Sequence, residues 1–267
     1  MKEFIKESPV NPPKNERPPG LPPRHDDAEA ARRIRNLDID FVIEKVTLSE
    51  HYEHKPREVF ESLARLVIEL EDEIPNYDTL LSDDTSGRLV TRFLREVINK
   101  KREALEKSRV QTYFLAGKEL ASDPEGIKEF IRKKKSSVHK ALLVTEYISS
   151  GENINQLVEI LEQQNINFDV AAVSIRHDIS SYIGRRELSD LTKRLRYGAT
   201  GTAGLFFWDN PITGVTYPDR WWEKSRSTHP VKKHYADREE LKRVRDAMKR
   251  ARHDIKLMAE EISKLIL

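Results

Sequence analysis

Short, uninterrupted apolar runs separated by amphipathic stretches constrain this fold more than any other feature of the chain. Tyr77–Leu81, Thr112–Ala116, Ala141–Val144 and Val170–Ile175 read as strands. Between them Leu89, Val90, Phe93, Leu94, Val97 and Ile98, and later Ile154, Leu157, Val158 and Leu161, recur at helical spacing. A strand that is apolar on both faces has to be covered on both, and alternation with helices is how a parallel sheet achieves this. The expected fold class is α/β, a parallel sheet flanked by helices.

The flanks read differently. Seven of the 13 prolines (Pro9, Pro12, Pro13, Pro18, Pro19, Pro22 and Pro23) crowd the first 23 residues among charged neighbours, the composition of a disordered or polyproline tail. Asp26-Asp27 can start a helix, and Pro56 suits the first turn of another that carries Val59, Phe60, Leu63, Val67, Ile68 and Leu70. In the last 30 residues Leu241, Val244, Met248, Ala251, Ile255, Met258, Ile262 and Leu265 repeat in steps of three and four, the seam of a coiled coil. Such a seam joins two copies into a homodimer or packs along its own domain. The domain plan is 1–25 tail, 26–75 helical extension, 76–215 α/β core and 216–267 C-terminal extension with a long amphipathic helix.

Composition excludes several classes. The 267 residues hold 47 Lys+Arg against 45 Asp+Glu, so the formal charge of +2 gives no strong nucleic-acid signal. There is no cysteine, hence no disulfide, thiolate metal site or cysteine nucleophile. No apolar run reaches the roughly 20 residues of a bilayer-spanning helix, and the Met1-Lys-Glu-Phe-Ile start lacks a signal-peptide core. A cytoplasmic protein without a membrane partner is expected.

The chemistry concentrates in Ala141-Leu142-Leu143-Val144-Thr145-Glu146-Tyr147-Ile148-Ser149-Ser150-Gly151-Glu152-Asn153-Ile154. A buried strand delivers a carboxylate at its carboxyl end, then turns through hydroxyl residues and glycine into a helix. Hydroxyls and free amide N–H groups then converge as in a phosphate cradle, or the Ser simply caps the helix. This segment resembles the phosphoribosyl-pyrophosphate motif of type I phosphoribosyltransferases. A second stretch, Tyr77-Asp78-Thr79-Leu80-Leu81-Ser82-Asp83-Asp84-Thr85-Ser86-Gly87-Arg88-Leu89-Val90, resembles the family's first core strand, pyrophosphate loop and following helix. The resemblance spans about Tyr77 to Ile175 and leaves both ends of the chain unexplained.

The resemblance implies that Glu146, beside Thr145, holds the ribose hydroxyls. It implies that Ser149, Ser150, Gly151 and Asn153 take the 5′-phosphate, that Ser86 and Gly87 take the pyrophosphate, and that Arg88 is a catalytic cation with Glu146. Thr145 stands where the family carries the first of two acidic residues, and Glu152 puts negative charge in the phosphate turn. Asp83 and Asp84 would oppose a polyanion without a divalent cation between them. Carboxylate plus substrate phosphate is the usual setting for Mg²⁺, which makes Asp83, Asp84 and Glu146 metal candidates and Mg²⁺ the expected cofactor. The partner that the resemblance implies is phosphoribosyl pyrophosphate or a nucleotide. The protein is then a phosphoribosyltransferase, a glycosyltransferase of nucleotide metabolism, or a non-catalytic sensor or interaction protein that keeps the same fold.

Remaining candidates carry two readings each. Arg132-Lys133-Lys134-Lys135 reads as a solvated helix end, or, as the resemblance implies, lies in a mobile catalytic loop. Tyr197–Gly204, before Phe207, Trp208 and Asp209, reads as a Gly-rich loop leading into an aromatic strand, or, as the resemblance implies, as part of an acceptor pocket. Trp221 and Trp222 pack the last helix or offer a surface. His51 with His54, and His229 with His234, complete no metal set and read as surface histidines.

Overall fold

A computed structural model describes residues 24–46, 56–82, 87–115, 124–148, 151–176, 189–201 and 238–267. Three helices come first. In α1 (Asp27–Arg35) the Asp26 carboxylate accepts from the amides of Ala28 and Glu29, and in α2 (Ile39–Lys45) Asp38 accepts from that of Phe41. Helix α3 (Pro56–Leu70) opens on proline, which has no N–H to leave orphaned, and buries Val59, Phe60, Leu63, Ala64, Leu66, Val67, Ile68 and Leu70. The sheet follows as β1 (Thr79–Ser82), α4 (Gly87–Ala104), β2 (Gln111–Phe114), α5 (Pro124–Lys134), β3 (Ala141–Ile148), α6 (Glu152–Gln163), β4 (Phe168–Ile175), α7 (Ser189–Arg194) and β5 (Leu195–Thr200). Helix α8 (Arg238–Ile262) closes the chain.

All five strands are parallel, in the order β2-β1-β3-β4-β5. The expected α/β class is therefore present. Right-handed crossovers place α4 on one face, because β1 to β2 steps one way, and α5, α6 and α7 on the other, because every later step runs back. That would leave one face of β4 and β5 bare. Helix α3 fills the gap by packing on both strands, while α4 covers β1 and β3 and α8 lies along α4. One core cluster accordingly joins α1 to α4, α8 and Leu142, Val144, Ala171 and Val173 of the sheet. The other joins Ile127, Ile131, Leu157, Leu161 and Leu191 to Leu143, Val170 and Ala172. The helical extension and the last helix thus share a core with the sheet.

Several expectations are revised. Strand β3 runs on through Thr145, Glu146 and Tyr147 to Ile148, so its bend begins later than the apolar run suggests. Tyr197–Thr200 belongs to β5 rather than to a loop. Gly198 is required there, since a Cβ would lie 2.1 Å from the carbonyl oxygen of Ser62 in α3. In α8, the seam residues Ala251, Ile255, Met258 and Ile262 are at most 2% exposed in the chain's own core. The side chains of Leu241, Val244 and Met248 lie outside the described residues, as do the proline tail, the four histidines singled out above, Phe207, Trp208, Asp209, Trp221 and Trp222.

Helix α8 runs beside α4 in the same direction. Arg252 neighbours Arg92, and Lys100 Nζ donates to the Glu260 carbonyl at 3.4 Å. At ~1.5 Å per residue, this register carries the start of α8 ~13 Å past the first turn of α4, beyond the strand ends.

Candidate functional site

The strand order reverses between β1 and β3, since the chain leaves β1 toward β2 and leaves β3 toward β4. Ligands of open parallel sheets bind at the carboxyl ends of the strands at such a reversal. Here Ser82, the last residue of β1, pairs with Val144, so β3 continues four residues further and forms one wall. Side chains alternate along a strand. Ser82 therefore shares the α4 side of the sheet with Leu80, and Glu146 shares it with Leu142 and Val144. Strand geometry separates the two Cα atoms by roughly 8 Å.

Both polar groups are withdrawn from bulk water: Ser82 is 0% and Glu146 3% exposed. Ser82 Oγ has no hydrogen-bond partner, and the same holds for Thr91 Oγ1 in α4 and Asn155 Oδ1 in α6. A buried hydroxyl without a partner forfeits about 1–3 kcal/mol, which a ligand atom would restore. Two helix amino termini point at the same edge. Helix α4 starts at the buried Gly87, and α6 follows Gly151, whose φ of 82° lies in the left-handed region that glycine tolerates. Their first N–H groups and dipoles favour an anion there.

Among the sequence candidates, Glu146, Gly151, Gly87 and Arg88 come to this edge. Thr145 is also there, 3% exposed, but alternation turns it to the opposite side with Leu143. The Arg88 guanidinium lies 4.5 Å from the ring centroid of Phe114, the last residue of β2, in a cation–π contact. Asp83, Asp84, Ser86, Ser149, Ser150 and the Asn153 side chain lie outside the described residues. Among the described residues no three His, Asp or Glu side chains cluster as metal ligands. The oxygen donors Glu146 and Ser82 nevertheless suit Mg²⁺, which takes few protein ligands and completes its shell with phosphate and water.

Arg132–Lys135 sits at the other end of the sheet, where α5 finishes before β3 begins. Glu129 pairs with Arg132 at 2.6 Å and with Lys133 at 3.4 Å, so this run is a basic helix terminus whose first two cations share one carboxylate. The same end is fastened by a partly buried network. Tyr77 Oη donates to Asp169 at 2.8 Å, and Lys140 Nζ lies 2.7 Å from Glu73 and 3.0 Å from Asp169. Burial first, then the Asp169 carboxylate, pushes the Tyr77 phenol far above its ordinary pKa.

Ser82 and Asn155 escaped the sequence reading as ligand groups, although Ser82 lies inside its second motif and Asn155 directly follows its first. Their signal was position: a small hydroxyl closing an apolar strand, and an amide in the first turn of a helix after glycine. Compared with known proteins, the chain matches no family model and no curated protein. Fold and site together define an α/β protein with a polar, strand-end site suited to an anion.

Proposed function

We propose that the β1/β3 strand-end site binds the ribose phosphate of phosphoribosyl pyrophosphate, or of a nucleotide, and that the protein is a phosphoribosyltransferase-like enzyme acting on a nitrogenous base. The observation that carries this reading is the meeting of the buried Glu146 carboxylate, the partnerless Ser82 hydroxyl and the amino termini of α4 and α6 at the sheet's reversal point. Glu146 accepts from ribose hydroxyls. The turn closed by Gly151 offers amide donors to the 5′-phosphate, and Arg88, steadied by Phe114, faces the leaving group. In the transfer, the bond from C1 to pyrophosphate oxygen breaks while a bond from C1 to nitrogen forms. Pyrophosphate departs with the electron pair, and the base gives up its proton to solvent. Mg²⁺, bound by Glu146 and substrate oxygens, would neutralise charge on the leaving phosphates.

One sequence feature favours a second reading, a non-catalytic sensor using the same site: Thr145 stands where the family that the chain resembles carries an acidic residue. Calorimetry with phosphoribosyl pyrophosphate, with and without Mg²⁺, tests the site. Binding that depends on Mg²⁺ and weakens at least tenfold in Glu146→Gln is expected. A silent wild type, or a variant that binds as well, refutes both readings. Pyrophosphate release over a panel of bases then separates enzyme from sensor, which releases nothing.

A further inference from the structure

Helix α4 carries Arg88, Arg92 and Arg95 at spacings of four and three, one stripe along the helix over ~10 Å. The opposite side of α4 is committed to the core through Val90, Phe93, Leu94 and Val97. Helix α8, lying along α4, brings Arg252 to Arg92. Among the described residues Glu96 joins this group as an anion, and it is engaged by Arg95 at 3.3 Å. The Arg92 side chain is partly buried and Arg252 is exposed, yet among the described residues neither guanidinium has a carboxylate or hydrogen-bond acceptor in reach. Burial, then Arg252, Arg95 and Arg88, lower the pKa of Arg92.

This arrangement is unfavourable for the chain alone. Partly desolvated guanidiniums normally sit against carboxylates, because the planar fork loses several hydrogen bonds to water when covered. Two helices here bring Arg92 and Arg252 together, and among the described residues neither has such a partner. A bound anion removes both penalties at once. Two linked phosphates give each of these two guanidiniums its own pair of acceptor oxygens, through paired N–H···O bonds.

We propose that Arg92 and Arg252 form a binding site for a diphosphate group on the α4–α8 face, separate from the Glu146 site. Free pyrophosphate and the diphosphate of a nucleotide share this chemistry. Calorimetry on the full chain without Mg²⁺, with inorganic pyrophosphate, ADP and AMP as probes, tests the site and its source. Pyrophosphate should bind, Arg92→Gln and Arg252→Gln should each weaken it at least tenfold, and Glu146→Gln should change it less than twofold. ADP matching pyrophosphate would identify a nucleotide source, and ADP falling well below it would identify the free ion.

Stability supplies a second readout. Without ligand, Arg92→Gln should melt at or above the wild-type temperature because it relieves repulsion, while losing the rise in Tm that pyrophosphate gives the wild type. A merely structural arginine would show the reverse. The proposal is overturned if pyrophosphate does not bind, if AMP binds as tightly as pyrophosphate, or if both arginine variants bind within twofold of wild type. Loss of binding in Glu146→Gln alone would also overturn it, by placing the ion at the strand ends. An oligonucleotide binding where pyrophosphate does not would reject a compact anion in favour of an extended one.

Discussion

Gly151 shows how one residue shapes the strand-end edge. Its φ of 82° turns the chain from β3 into α6, and its carbonyl accepts the Asn155 amide at 2.9 Å to start the helix. An L side chain in that region costs about 1–2 kcal/mol. Gly151→Ala should lower the unfolding free energy in urea by about that amount and also weaken phosphoribosyl pyrophosphate, because the amides of the first turn shift. The sequence revealed this glycine and Glu146, since a carboxylate closing an apolar run and a glycine before a helix are local signals. It did not reveal that Thr145 turns away from Glu146's side. That fact follows from β3 remaining extended to Ile148, which depends on pairing with β4 through Tyr147 and Ile148.

At the scale of elements, the contact between α3 and β5 has the least tolerance. Gly198→Ala would drive a methyl group into the backbone of both Ser62 and Val173. Neither neighbour can rotate away, so a loss of about 3 kcal/mol or more is expected in chemical denaturation. Phe60→Ala in α3, at 0% exposure, should cost about 3–5 kcal/mol through the cavity it leaves. Strand β5 was hidden in the sequence because Leu195–Thr200 alternates arginine, glycine and hydroxyl residues with its apolar ones. Its signal lies in the distant helix it must approach. The apolar runs of β3 and β4, by contrast, announce their burial directly.

Helix α1 is tied down by a charge pair with a pH signature. Arg33 Nη1 and Nη2 donate to Glu71 Oε1 and Oε2 at 2.8 and 2.6 Å, and Nη2 also donates to the Leu265 carbonyl at 2.7 Å. The hydrogen bond from Arg33, against the opposing effect of burial, holds the Glu71 carboxyl below its ordinary range. A depressed folded-state pKa adds stability above the unfolded-state value, and that stability disappears as pH falls through the folded-state value. The wild-type Tm should therefore drop as pH falls below about 4.3, the ordinary glutamate value. Glu71→Gln, measured over the same range, should show a shallower acid slope.

On the scale of the whole molecule, the two chain ends complete one body. The first helices and α8 bury residues in the same cluster as the sheet, so calorimetry should record a single unfolding transition. Ending the chain at Ala236 would strip Ala251, Ile255, Met258, Ala259 and Ile262 from that cluster. Loss of cooperative melting is expected, and a truncated protein that melts as sharply as the full chain would contradict the shared core. The heptad pattern signalled a long helix with an apolar seam. Which surface the seam meets was not legible, because α4 and a second chain offer the same chemistry to it.

The last residue, Leu267, is 67% exposed, close to the point where Lys101 donates to the Ile266 carbonyl at the far end of α4. That is the pole opposite the strand ends. A biotin or surface tether added after Leu267 would hold the molecule by its base, leaving the strand-end edge turned toward the flowing analyte.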